Sequence, residues 1–117
     1  MVLPISFNHM VESDTKLDTI FHSLADPTRR DILRRLRPRE QSIGELAQHY
    51  DLTFAAVSKH LQVLERAKLV RKRRRGREQR VELSPAGLRR ADTYLEQYRK
   101  LWEEKLDRLE VFLKNNQ

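Results

Sequence analysis

The chain has 117 residues, with 24 Lys or Arg against 17 Asp or Glu, for a formal net charge of +7 and a pI of about 10.1. At 38% hydrophobic and 35% charged it suits one soluble domain with a single core, and no stretch approaches the ~18 apolar residues of a membrane span. The absence of cysteine excludes a disulfide framework, a thiolate metal site and thiol redox sensing, and with no signal-peptide pattern at the N-terminus a cytoplasmic location is expected. A chain this short buries a small fraction of its surface, so a homodimer interface is an expected source of further burial. Its surplus positive charge attracts polyanions, and charge alone does not choose between nucleic acid and an anionic membrane.

Residues 1–14 show no periodicity and carry Pro4 and Asn8, so they read as an N-terminal arm. From Thr15 onward Leu17, Ile20, Phe21 and Leu24 recur at helical spacing, predicting a first helix over 15–24. Asp26 as N-cap and Pro27 at the first helical position start a second helix, with Ile32, Leu33 and Leu36 as its buried stripe up to Pro38. Ser42-Ile43-Gly44-Glu45 fits a capping box for a third helix running to about Tyr50. Asp51-Leu52 is then a turn, and Thr53 caps a fourth helix from Phe54 to about Lys68, so helix, tight turn and helix form a helix-turn-helix. Residues 69–75 and 79–83 surround Gly76-Arg77-Glu78, the signature of a two-stranded hairpin, or wing. Ser84-Pro85 caps a last helix over 85–113, ahead of a tail at 114–117. On it Leu88, Ala91, Leu95, Tyr98, Trp102, Leu106, Leu109 and Leu113 keep helical spacing, and the four-plus-four step from Tyr98 to Leu106 favours a nearly straight helix. The expected fold is mainly α: a winged helix-turn-helix with a two-stranded β wing and additional N- and C-terminal helices.

On a wheel of about 100° per residue, Val57, Leu61 and Leu64 of the fourth helix cluster within about 60° and face the core. Ala55, Lys59, Gln62 and Arg66 lie opposite, flanked by Ala56 and Ser58, which are small or able to hydrogen-bond base edges and phosphates. The N-terminal half of such a helix enters the major groove, so Thr53, Ala55, Ala56, Ser58, Lys59, Gln62 and Arg66 are the expected DNA contacts. Between Arg66 and Arg80 nine basic residues stand against Glu78 alone, a local +8 that exceeds the net charge of the whole chain. Neighbouring arginines repel unless a polyanion neutralises them, so Arg74, Arg75 and Arg77 are expected on the backbone or in a narrow minor groove. The segment lacks the large apolar residues that insert into an anionic membrane surface.

These residues resemble the ArsR/SmtB-type winged-helix repressors of bacteria over about residues 17–113. The resemblance is carried by Leu24-Ala25-Asp26-Pro27-Thr28-Arg29-Arg30-Asp31-Ile32-Leu33, by Val57-Ser58-Lys59-His60-Leu61-Gln62-Val63-Leu64, and by Ala67-Lys68-Leu69-Val70 leading into the wing. It implies a homodimer built from the first and last helices, two recognition helices in successive major grooves of a palindromic operator, and repression by blocking polymerase. The interface residues it implies are Leu17, Phe21, Leu88, Ala91, Leu95, Tyr98, Trp102, Leu106 and Leu109. Family metal sensors carry cysteines where this chain has Ser42 and Gly44, and histidines on the last helix where it has none, since His9, His22, His49 and His60 all precede residue 61. The match is to the branch without those metal sites, and no metal or other cofactor is expected. A derepressor with a non-standard metal or small-ligand site, a protein or small-molecule effector, and a protein-interaction module with an incidental basic wing stay open as alternatives. An enzyme is disfavoured, because there is no cysteine nucleophile, no glycine-rich phosphate loop and no Ser/His/Asp constellation.

Overall fold

The computed structural model describes residues 14–116; the expected N-terminal arm lies outside them except for its last residue, Asp14. Five helices and three strands follow in the order α1 (Thr15–Leu24), α2 (Pro27–Leu36), β1 (Gln41–Ser42), α3 (Ile43–Ala47), α4 (Phe54–Arg66), β2 (Val70–Arg75), β3 (Glu78–Leu83) and α5 (Pro85–Asn115). The expected starts hold, although Ser84, the expected cap of the last helix, makes no side-chain cap hydrogen bond, and α5 begins on the fixed φ of Pro85; at the other starts the cap is a local chemical event. Asp14, Asp26, Ser42 and Thr53 each accept from the backbone N–H three residues on, and Ser42 with Glu45 completes the capping box.

The ends differ from expectation where tertiary contacts intervene. α3 stops at Ala47 because the chain tightens, His49 N–H donating to Leu46 and Tyr50 N–H to Ala47, and Tyr50 is drawn towards α2. α4 stops at Arg66, closed by a Schellman pair in which Lys68 N–H donates to Glu65 and Leu69 N–H to Leu64. Lys68 takes the left-handed conformation there, with φ of 60°, in a position that glycine usually fills. The wing hairpin forms with a two-residue loop, Arg75 opposite Glu78, and Gly76 at the first central position with φ of 64°. A third strand joins it: β1 pairs antiparallel with β3, Gln41 opposite Val81, giving the order β1-β3-β2. Two residues are too few to leave a period-two signal in the sequence.

One core sits between the helices and the base of the sheet. Ile20 of α1, Ile32 and Leu36 of α2, Leu46 of α3, and Val57, Leu61 and Leu64 of α4 meet Val70 and Val81 of the wing. α5 is seated on this core by its first turns alone. Gly87 is buried, its N–H donates to the Lys68 carbonyl at 2.9 Å, and a Cβ there would overlap the Ala67 carbonyl oxygen. At 1.5 Å per residue the 31 residues of α5 run about 46 Å, most of that beyond the core.

Candidate nucleic-acid interface

The expected DNA-contacting helix, α4, is held from behind. Val57, Leu61 and Leu64 are fully buried, which places the expected outer residues Thr53, Ala55, Lys59, Gln62 and Arg66 on the exposed side, with Ala56 and Ser58 half-buried at its edge. Lys59, Gln62 and Arg66 form no side-chain hydrogen bond or ion pair among the described residues. His60 looks the other way: its Nδ1 lies 3.4 Å from the Arg29 guanidinium and 3.8 Å from Asp26 Oδ2, and Arg29 Nε donates to the Ser23 carbonyl at 2.7 Å. The corner between α1 and α2 thus fixes the rotation of α4. The Asp26 carboxyl is held below its ordinary range, chiefly because it accepts from the Arg29 backbone N–H. Phe54, on the first turn, is 58% exposed although the wheel sets it about 20° from Leu61. No element among the described residues covers the start of the helix, so this ring is offered to whatever α4 meets; exposure at a helix start is a signal that periodicity misses.

Strand alternation divides the wing cations between two sheet faces. Arg71, Arg73 and Arg75 share a face with Glu78, Arg80 and Glu82 of β3, and with Glu40 just ahead of β1. Across that face Arg71 meets Glu82 at 2.6 Å, Arg73 meets Glu40 at 2.7 Å, and Arg80 meets Glu45 at 2.9 Å and Glu78 at 3.2 Å. The Glu45 carboxyl lies below its ordinary range, first through the Ser42 backbone N–H and then through Arg80. On the other face Lys72 reaches back to Glu65 of α4 at 3.7 Å. The wing is therefore less cationic than its sequence, because topology returns Glu40, Glu45, Glu65 and Glu82 to it from outside or across the hairpin. Of the three expected wing contacts, Arg75 is exposed but has Glu40 at 3.5 Å, whereas Arg74 and Arg77 at the tip form no ion pair among the described residues.

The expected interface residues fall into two groups. Phe21, Leu88, Leu95, Tyr98, Trp102, Leu106 and Leu109 are exposed, Trp102 at 60%, and Leu17 is half-buried. Ala91 is corrected: at 5% exposure it belongs to the protomer's own core and seats α5 rather than lining an open face. Phe21 packs edge-on against Tyr94 with ring centroids 5.9 Å apart, and Tyr94 lies 5.4 Å from Tyr98, so α1 and α5 form one aromatic-lined surface. Such a contiguous apolar face marks an interaction surface.

A helix-turn-helix domain model matches residues 24–73, the span from the end of α1 into β2. The chain is 40% identical over 81 residues to the HTH-type transcriptional regulator Rv2034 of Mycobacterium tuberculosis, covering 69% of this chain and 76% of that one. It is 32% identical over 60 residues to the transcriptional repressor SdpR of Bacillus subtilis, 51% of this chain and 67% of that protein. The crystal structure of the ArsR family transcriptional regulator RHA00566 superposes with a TM-score of 0.71 at 30% identity, covering 80% of this chain and 96% of that chain. The chain belongs to the ArsR family of transcriptional regulators. Within the ArsR frame α3, the turn and α4 are the helix-turn-helix, β2 and β3 are the wing, and α1 with α5 are the flanking helices. No described helix is long and apolar enough to cross a membrane.

Proposed function

We propose that this ArsR family member is a homodimeric repressor of transcription that reads a palindromic operator in double-stranded DNA, in the cytoplasm. The observation that carries the reading is the outer face of α4, where Lys59 and Gln62 are exposed without side-chain partners among the described residues, beside the wing-tip cations Arg74 and Arg77. In this reading α4 enters the major groove and Thr53, Ala55, Ala56, Ser58, Lys59 and Gln62 face base edges and adjoining phosphates. Arg66, Arg74 and Arg77 follow the sugar-phosphate backbone, while Arg75, with Glu40 at 3.5 Å, is already paired within the wing. Two copies join through the face formed by Leu17, Phe21, Leu88, Leu95, Tyr98, Trp102, Leu106 and Leu109, which has no cover within the described chain. A twofold operator then requires the two recognition helices to stand about one helical turn of DNA apart, roughly 34 Å. Repression rather than activation is supported by the likeness to SdpR, named a repressor.

Enrichment of duplexes from a randomised pool, followed by footprinting, tests the proposal. The expected outcome is an inverted repeat with half-sites about 10 base pairs apart, protected symmetrically. A pool without enrichment, or a single asymmetric half-site, contradicts it.

A further inference from the structure

Glu40 lies one residue ahead of β1, with a side chain only 21% exposed. Its Oε2 stands 2.7 Å from the Arg73 guanidinium, and its Oε1 stands 3.5 Å from Arg75 Nη1 and 3.6 Å from Arg80 Nε. Register explains the convergence: Gln41 is opposite Val81, Arg80 is opposite Arg73, and the side chains of Glu40, Arg73, Arg75 and Arg80 project from one face of the sheet. An oxyanion ringed by guanidinium groups is also the arrangement these arginines would adopt around a phosphate. Resting on the DNA-binding reading above, we propose that Glu40 is an affinity-setting residue of the wing: its carboxylate stands in for a DNA phosphate and withholds Arg73 and Arg75 from the backbone.

The consequence is electrostatic. Each phosphate that a protein neutralises adds about 0.9 to the slope of log affinity against log salt, so an arginine neutralised by an internal carboxylate adds little. The wing therefore engages DNA through Arg74 and Arg77, and its two inner arginines form a reserve that Glu40 holds back. Arg80 differs from that pair. At 14% exposure, and bound by Glu45 and Glu78 as well, it anchors the sheet and keeps its partners when Glu40 loses its charge. Glu40→Gln is thus expected to fold.

The test is the salt dependence of binding to a labelled random-sequence duplex, for the native chain, Glu40→Gln, Arg73→Ala and the double variant. Counted per protomer here and below, with the dimer showing twice the change, Glu40→Gln should steepen the slope by about one to two and tighten binding at low salt, as one or two released arginines gain phosphates. Arg73→Ala alone should leave the native slope unchanged, yet remove about one from the slope of Glu40→Gln. An unchanged slope in Glu40→Gln, or equal losses from Arg73→Ala in both backgrounds, overturns the proposal. Should Glu40→Gln melt early, Arg74→Ala and Arg73→Ala in the native background decide it: the first lowers the slope by about one and the second does not, and equal effects overturn it. A native chain that binds no duplex at any salt contradicts the DNA-binding reading itself, a failure distinct from an unchanged Glu40→Gln slope.

Discussion

Tyr50 Oη donates to Asp31 Oδ2 at 2.6 Å, tying the turn of the helix-turn-helix to α2 across 19 residues. The same carboxylate accepts from Arg34 and Arg35, and the Arg35 guanidinium lies over the Tyr50 ring, 5.7 Å from its centroid. The Tyr50 hydrogen bond, followed by the arginines, holds the Asp31 carboxyl well below the usual carboxylate range, while burial first and Asp31 second push the Tyr50 hydroxyl up to about 12.

Tyr50→Phe keeps the ring and removes the donor, and is expected to cost about 1–2 kcal/mol in a urea melt at neutral pH. Because the carboxyl of Asp31 is depressed in the folded state, its contribution is present above its ordinary value of 3.8 and is lost as pH falls below it. The gap between the native chain and Asp31→Asn should therefore close on acidification below about pH 4. A gap that stays constant down to pH 2 contradicts this account of the pair.

The junction of α4 with α5 yields a matched pair of substitutions. Gly87→Ala drives a Cβ into the Ala67 carbonyl oxygen and close to that of Lys68, so α5 must lift from the core, a loss of more than about 2 kcal/mol. Lys68→Gly relieves the left-handed strain at φ of 60° and should gain roughly 0.5–1 kcal/mol. Thermal melts of both variants check the signs, and a neutral Gly87→Ala would show that the junction yields.

The α1–α5 face is expected to be the seam of the dimer. Leu95→Asp or Trp102→Asp places a charge in it, and each should release monomers in sedimentation while leaving the protomer's helical content intact, since neither side chain is in the protomer core. A dimer that survives both substitutions places its seam elsewhere.

Much of this architecture was legible because its signals are local. The caps at Asp26, Ser42 and Thr53 and the hairpin loop at Gly76 each lie within a few residues of the element they define. The stripe of Val57, Leu61 and Leu64 likewise fixed which face of α4 points outward. The rest depends on separations that a window along the chain does not span. Arg73 finds Glu40 across 33 residues and Arg80 finds Glu45 across 35, so a count of charges between residues 66 and 80 overstated what the wing offers to an anion. Ala91 was placed with the open apolar stripe of α5, because helical spacing marks a face without saying whether the protomer or a second copy covers it.

The division of labour between helix and wing gives the remaining substitutions. Lys59→Ala or Gln62→Ala should reduce the preference for the enriched operator over random duplex, each by about 1–3 kcal/mol, with little change on random DNA. Arg74→Ala or Arg77→Ala should weaken both complexes alike. Equal losses on both duplexes for all four variants would remove the distinction between base reading and backbone contact.

The central claim, that this chain is a dimeric reader of DNA, is tested most directly by its affinity for the enriched operator measured as salt is raised from about 50 to 200 mM. A dimer neutralising roughly 6–10 phosphates should lose about three to five decades of affinity across that range. Affinity that stays flat with salt would contradict the account and leave the apolar α1–α5 face, rather than α4 and the wing, as the binding surface of the protein.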